Sequence, residues 1–177
     1  MNLKTLHSLI APGWRPGRAA AAGLLATIVY SFAMYGDMRL TGNRFNDVRF
    51  IEGLLERQPT AQKRVPVLAW GLHLLNGVLL AEVYAAICKR WLPGPNWLKG
   101  VWFGELFTLA AWTTTPLVDK YHPMIQSGAL PRLVNRAALL QNLARHFFFG
   151  LTLGLLYHDK EAEASDKALL GKKRQEG

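Results

Sequence analysis

Two histidines occupy matching places in two apolar stretches of this chain. His73 heads the run His73-LLN-Gly77-VLL-Ala81-EV-Tyr84, and His146 heads His146-FFF-Gly150-LTL-Gly154-LL-Tyr157. Both fit His-x3-Gly-x3-small-x2-Tyr, offset by 73 residues. An imidazole inside an apolar helix is costly to bury and usually faces a partner or a cavity. Three chemistries suit such a pair. The two rings could ligate one b-type haem, with Gly77 and Gly150 allowing the macrocycle to approach closely. They could bind a metal ion, although two imidazoles want an added carboxylate, and which metal stays open. They could form a proton-linked switch. The fourth reading is structural: two hydrogen-bonded histidines that hold helices together.

Glu82 and Glu105 are the carboxylates within the apolar stretches. Glu82 precedes Lys89 by seven residues and Glu105 follows Lys99 by six, which predicts a similar depth for both. Arg145 is the buried cation expected to pair with Glu105, which would tie the third span to the fourth. A proton or ion path through Glu82, Glu105 and Arg145, with His146 nearby, is the functional alternative to that structural lock. Gln141 and Asn142 are expected to add hydrogen bonds between helices. Asp37, Asp119, His122 and His158 fall at predicted boundaries and end helices in water.

These groups need helices to hold them. Four apolar blocks are long enough to cross a bilayer, which takes about 20 residues each. They cover residues 18–38, 66–88, 97–118 and 134–157, so residues 1–157 read as one four-span membrane domain and 158–177 as a charged cytoplasmic tail. Pro66 opens the second block, where its missing N–H costs little. Pro116 sits in the last turn of the third, where it kinks or ends the helix. Continuous apolarity without two-residue alternation excludes barrel strands. The fold class is all-α: an integral membrane four-helix bundle.

Within each doubled run, steps of four residues drift only about 40° around the helix, and the Tyr returns to within about 20° of the His, roughly 16 Å along the axis. Each helix thus carries one stripe. Small residues on such a stripe let backbones approach, and Tyr suits the interfacial belt. Blocks one and three echo one another too, through Gly23 and Gly104, Thr27 and Thr108, Asp37 and Asp119. The chain reads as two copies of one helical hairpin about a pseudo-twofold axis along the membrane normal. The stripe predicts the second and fourth spans as the inner, facing pair.

The 177 residues carry a net charge of +9, yet the mean hydropathy is only +0.08. The Lys and Arg flank the apolar blocks, which suits an anionic leaflet and topology selection, not nucleic acid. The single cysteine, Cys88, excludes an intrachain disulfide and a thiolate-cluster metal site. Basic residues before the first block resemble a signal-peptide start, but Ala19–Ala22 opens the block, so it reads as an uncleaved span with Trp14 along the membrane surface. The long first loop, 39–65, carries Phe45, Val48, Ile51, Leu54 and Leu55 at helical steps among charges, an amphipathic surface helix from which Phe50 departs. The short 89–99 connection holds Lys89, Arg90 and Lys99 without an acid, which puts both termini in the cytoplasm.

The segments GVWFGELFTLAAWTTTPLVDKYHP and NLARHFFFGLTLGLLYH resemble the small four-span bacterial inner-membrane proteins of the YagU type and related families of unknown function. The resemblance covers the second to fourth spans. It implies a bacterial inner membrane and a four-helix bundle, and it brings no catalytic residues. This chain departs from it in the long first loop and in Arg145. No phosphate-binding loop, nucleophile elbow or HExxH helix is present. The expected function is therefore non-enzymatic: an accessory or structural subunit of a larger membrane assembly, or a self-associating protein, in the lipid bilayer. The alternatives are a haem b or quinone-linked electron carrier using His73 and His146, and a small proton-coupled transporter or channel.

Overall fold

The computed structural model describes residues 10–11, 13–55 and 65–158. Lys4, Arg57, Lys63, Arg64 and the tail beyond 158 therefore lie outside the described residues. Among the described residues the chain is all-helical, without strands.

Helix α1 runs Pro16–Thr41, opened by a proline in its first turn and closed by Gly42 in the left-handed conformation (φ 72°) that glycine reaches without a Cβ penalty. Helix α2, Asp47–Leu55, lies in the first loop. Helix α3, Val65–Val83, continues through a π turn at Tyr84–Cys88 and a 3-10 turn at Lys89–Trp91. Helix α4 covers Asn96–Trp112 and ends earlier than the apolar block does. Thr113 and Thr114 break it, their hydroxyls bonding back to Ala110 and Ala111 carbonyls. Pro116 then takes the first turn of a new short helix, α5, Thr115–Tyr121. A further turn, α6, covers Pro123–Gln126. Helix α7, Arg136–Leu156, starts at Asn135, whose side chain accepts the Ala138 N–H at 2.8 Å.

Two of these helices, Pro16–Thr41 and Val65–Trp91, are long and apolar enough to cross a membrane. Helix α4 has only 17 residues, and α7 is diluted by Arg136, Gln141, Asn142, Arg145 and His146.

Helix α1 packs on both α3 and α7, and α4 packs on α7 and touches the turns at the C-terminal end of α3. The expectation that the second and fourth spans pack as the facing pair is corrected here: α3 and α7 each pack on α1 along their length and not on one another. The buried α1 stripe of Ala19, Ala22, Gly23, Ala26 and Thr27 is small enough for two close neighbours. Helices α3 and α7 meet at their C-terminal ends, where Tyr84 and Tyr157, both fully buried, pack edge to face at 6.2 Å.

Glycine sets both hairpin crossings. On α1 and α3, a Cβ at Gly23 would stand 2.8 Å from the Gly77 carbonyl oxygen, and one at Gly77 would collide with Thr27. On α4 and α7, a Cβ at Gly100 would stand 2.6 Å from the Gly154 nitrogen, and one at Gly104 would collide with the His146 carbonyl. The packing equivalent of Gly23, which meets Gly77 and Ala81, is thus Gly100, which meets Gly150 and Gly154, one helical turn from the sequence counterpart Gly104. Thr27 and Thr108 make the same bond in each copy, each hydroxyl donating to the carbonyl four residues back, at 2.7 and 2.9 Å.

The end where α1 and α4 finish and α3 and α7 begin carries a cap. Its small core is Phe45, Ile125, Leu130 and Leu133. Asp119 ties it by accepting the Leu133 and Val134 N–H groups at 2.7 and 2.9 Å. Helix α2 lies in this cap, with Val48 and Gly53 buried. Leu54, expected on its apolar face, is exposed. Phe50, which breaks the pattern, instead stacks on the His122 ring at 4.2 Å, and the Phe50 carbonyl accepts from His122 Nε2 at 2.9 Å. His122 is buried, so it does not end its helix in water.

Candidate ligand cavity

Helices α3 and α4 approach each other through the turns at the C-terminal end of α3. Towards the cap the gap between them is a cavity of about 490 Å³. Helix α3 contributes Leu72, His73, Asn76, Gly77 and Leu80, and α4 contributes Phe107 and Ala111. Thr27 and Tyr30 of α1, with Asn142, His146 and Phe149 of α7, form the back wall. Asp47, Phe50 and Ile51 of α2 close the top. Asn76 and Ala111, at the mouth, are exposed.

Both sequence-selected histidines line this cavity. The Tyr30 ring packs against each, at 5.7 Å from His73 and 5.0 Å from His146. Ser31 Oγ bridges the Thr27 carbonyl at 2.8 Å and His73 Nε2 at 3.1 Å. His146 Nδ1 faces the Asn142 carbonyl at 2.9 Å, which only accepts, so His146 carries its proton on Nδ1. In the neutral ring, His146 Nε2 is left as a lone pair. Gly77 lies on the cavity wall, but it and Gly150 serve the helix crossings.

Behind Tyr30 is an ionic network around Arg145, which is fully buried while its partners Asp37 and Asp47 are partly exposed. Its guanidinium grips Asp37 through two bonds, at 2.5 and 2.7 Å, and reaches Asp47 at 3.0 Å and the Phe45 carbonyl at 3.0 Å. Tyr30 donates its hydroxyl to Asp47 at 3.0 Å. Gln141 donates to Asp37 at 2.8 Å and Thr41 at 2.9 Å. The expected Glu105–Arg145 pair does not form. Asp37 lies nearer the cap, and the long Arg145 side chain extends to it and to Asp47 of α2. Gln141 bonds between helices as expected, whereas the Asn142 amide donates to Ala138 within its own helix at 2.9 Å.

Glu82 is placed elsewhere. Its carboxylate accepts the Trp14 indole N–H at 2.8 Å, which docks Trp14 on the bundle instead of leaving it along a surface. Glu105 is partly exposed. None of Glu82, Glu105 and Arg145 is hydrogen-bonded to another. Among the described residues no three His, Cys, Asp or Glu side chains converge on a metal site.

Sequence reasoning passed over Tyr30 and used Asp47 only as the polar side of a surface helix. The signal for Tyr30 was its spacing: Tyr30 and Asp37 are seven residues apart, and so share one face of α1.

Residues 15–167 match a protein family of unknown function, DUF6789. No curated protein and no solved structure matches the chain.

Proposed function

The chain belongs to the DUF6789 family, whose function is unknown, and from its geometry we propose a four-span, non-enzymatic protein of the bacterial inner membrane that holds a small amphipathic ligand under a helical lid. The looser likeness to the YagU type points the same way. The observation that carries the proposal is the cavity of about 490 Å³ between α3 and α4, with both histidines on its wall.

The membrane part rests on which faces of the helices are apolar. In α7 the polar Gln141, Asn142 and Arg145 are buried, while Leu140, Phe147, Phe148, Leu155 and Leu156 face outward. Helix α4 exposes Trp102, Leu106 and Leu109, and α1 and α3 expose Leu24, Leu25, Phe32, Val67, Leu68, Leu75 and Leu79. A monomer in water rarely presents contiguous apolar surface on this scale, whereas lipid solvates it. Helices α4 and α7 then cross as α1 and α3 do, their polar groups spent inside the bundle. Short-loop charge supports a cytoplasmic side for both termini. The accessory role in a larger membrane assembly is part of the same proposal.

Native mass spectrometry after gentle extraction tests the ligand. The wild type should retain a small molecule near one-to-one, and Leu80→Trp, which fills the cavity floor, should lose it. An empty wild-type cavity would refute the reading. A Soret band in the same preparation would replace it with the haem carrier. That alternative has less support, because the Tyr30 ring stands against both imidazoles and Ser31 holds His73 Nε2.

A further inference from the structure

Resting on that reading, we infer that the ligand of this cavity is a lipophilic organic ammonium, its charged head beneath the lid beside Asp47 and its apolar body between the aromatic walls. The inference comes from counting donors and acceptors. The Tyr30 hydroxyl gives its proton to Asp47, and the Thr27 hydroxyl gives its proton to the Gly23 carbonyl. His146 spends its one N–H on the Asn142 carbonyl, which leaves its Nε2 as a lone pair. The Asn76 and Asn142 amides, which also line the cavity, both donate and accept. With the His146 lone pair and the Asp47 carboxylate added, the lining carries more acceptors than donors. That surplus is complementary to a ligand that donates, and an ammonium donates without accepting.

Charge gives a second, independent argument. The network behind the cavity joins two carboxylates, Asp37 and Asp47, to one guanidinium, Arg145. Two negative charges against one positive leave one negative charge, shared by carboxylates that are only partly exposed. The cavity-facing carboxylate, Asp47, is the place for a balancing cation. Phe107 and Phe149, with Tyr30, supply ring faces that attract the same cation and pack its hydrocarbon.

The test uses the full chain in phosphatidylcholine nanodiscs and three probes with one phenylalkyl body, ending in an ammonium, an alcohol or a carboxylate. The ammonium should bind at least about tenfold more tightly than the alcohol, and the carboxylate more weakly still. Asp47→Asn should bring the ammonium down to the alcohol's affinity and leave the alcohol unchanged. Leu80→Trp should abolish specific binding of every probe. If Asp47→Asn does not fold, the ranking of the three probes on the wild type decides alone. Alcohol and ammonium binding equally well would overturn the ammonium inference while leaving the cavity a ligand site. No probe binding the wild type better than Leu80→Trp would overturn both.

Discussion

Replacing Arg145 with methionine should destabilise the protein by about 3–5 kcal/mol, the usual cost of removing one partner from a buried ion pair. The guanidinium makes four hydrogen bonds from a fully buried position, three to carboxylates and one to the Phe45 carbonyl. Methionine keeps most of the volume, so the loss reports on the charges. It leaves Asp37 and Asp47 without their cation and unfastens α1, α7 and the lid from one another. Lysine should rescue only in part, since a single ammonium cannot grip Asp37 with two parallel bonds and reach Asp47 as well. Adding Asp37→Asn and Asp47→Asn to Arg145→Met should recover much of the loss, because no buried charge then stands alone. Thermal unfolding in a mild detergent reads all four proteins. Wild-type stability in Arg145→Met would show that the network is not structural.

The second large effect is at the helix crossings, and its sign depends on position. Gly150→Ala places a Cβ 2.8 Å from the Gly100 carbonyl carbon and 3.0 Å from the Val101 Cα, and Gly154→Ala places one 2.9 Å from the Trp97 Cα. These neighbours are backbone and cannot turn aside, so α4 and α7 must separate. Each substitution should cost about 1–3 kcal/mol, the range for overpacked cores. Gly36 and Gly71 have nothing within 4 Å of an added Cβ. Alanine there should stabilise by roughly 0.5–1 kcal/mol, through helix propensity alone. The same melting experiment compares both pairs. Equal effects at the crossing and open positions would rule out glycine-mediated packing.

The doubled His-Gly-small-Tyr stripe led directly to His73 and His146, because a period of four residues survives in three dimensions as one face of a helix. It could not show which helices touch. Spacing within a helix fixes a face but not the neighbour that covers it, and the small residues of α1 proved able to fill that place. Depth counted from the nearest basic loop set Glu82 level with Glu105. It missed the Arg145–Asp37 pair because a long side chain bonds well away from its own Cα. The first-loop helix was legible in its amphipathic spacing, but its place over the cavity was not. Phe50 is off the amphipathic pattern of α2 because it packs sideways on His122 instead of down on the bundle. Helix α4 is shorter than its apolar block because Thr113 and Thr114 turn their hydroxyls onto the last carbonyls, a competition that hydropathy does not register.

Four crossings with the cavity inside the bilayer are the centre of the account, and cysteine accessibility in intact and permeabilised cells tests them most directly. In a Cys88→Ser background, single cysteines replace the exposed Arg44, Pro93 and Ala129, and His158 at the end of α7. A membrane-impermeant thiol reagent should label positions 44 and 129 in intact cells, and positions 93 and 158 only after permeabilisation. Labelling of all four positions from the same side, or recovery of the labelled protein in the soluble fraction, would contradict it.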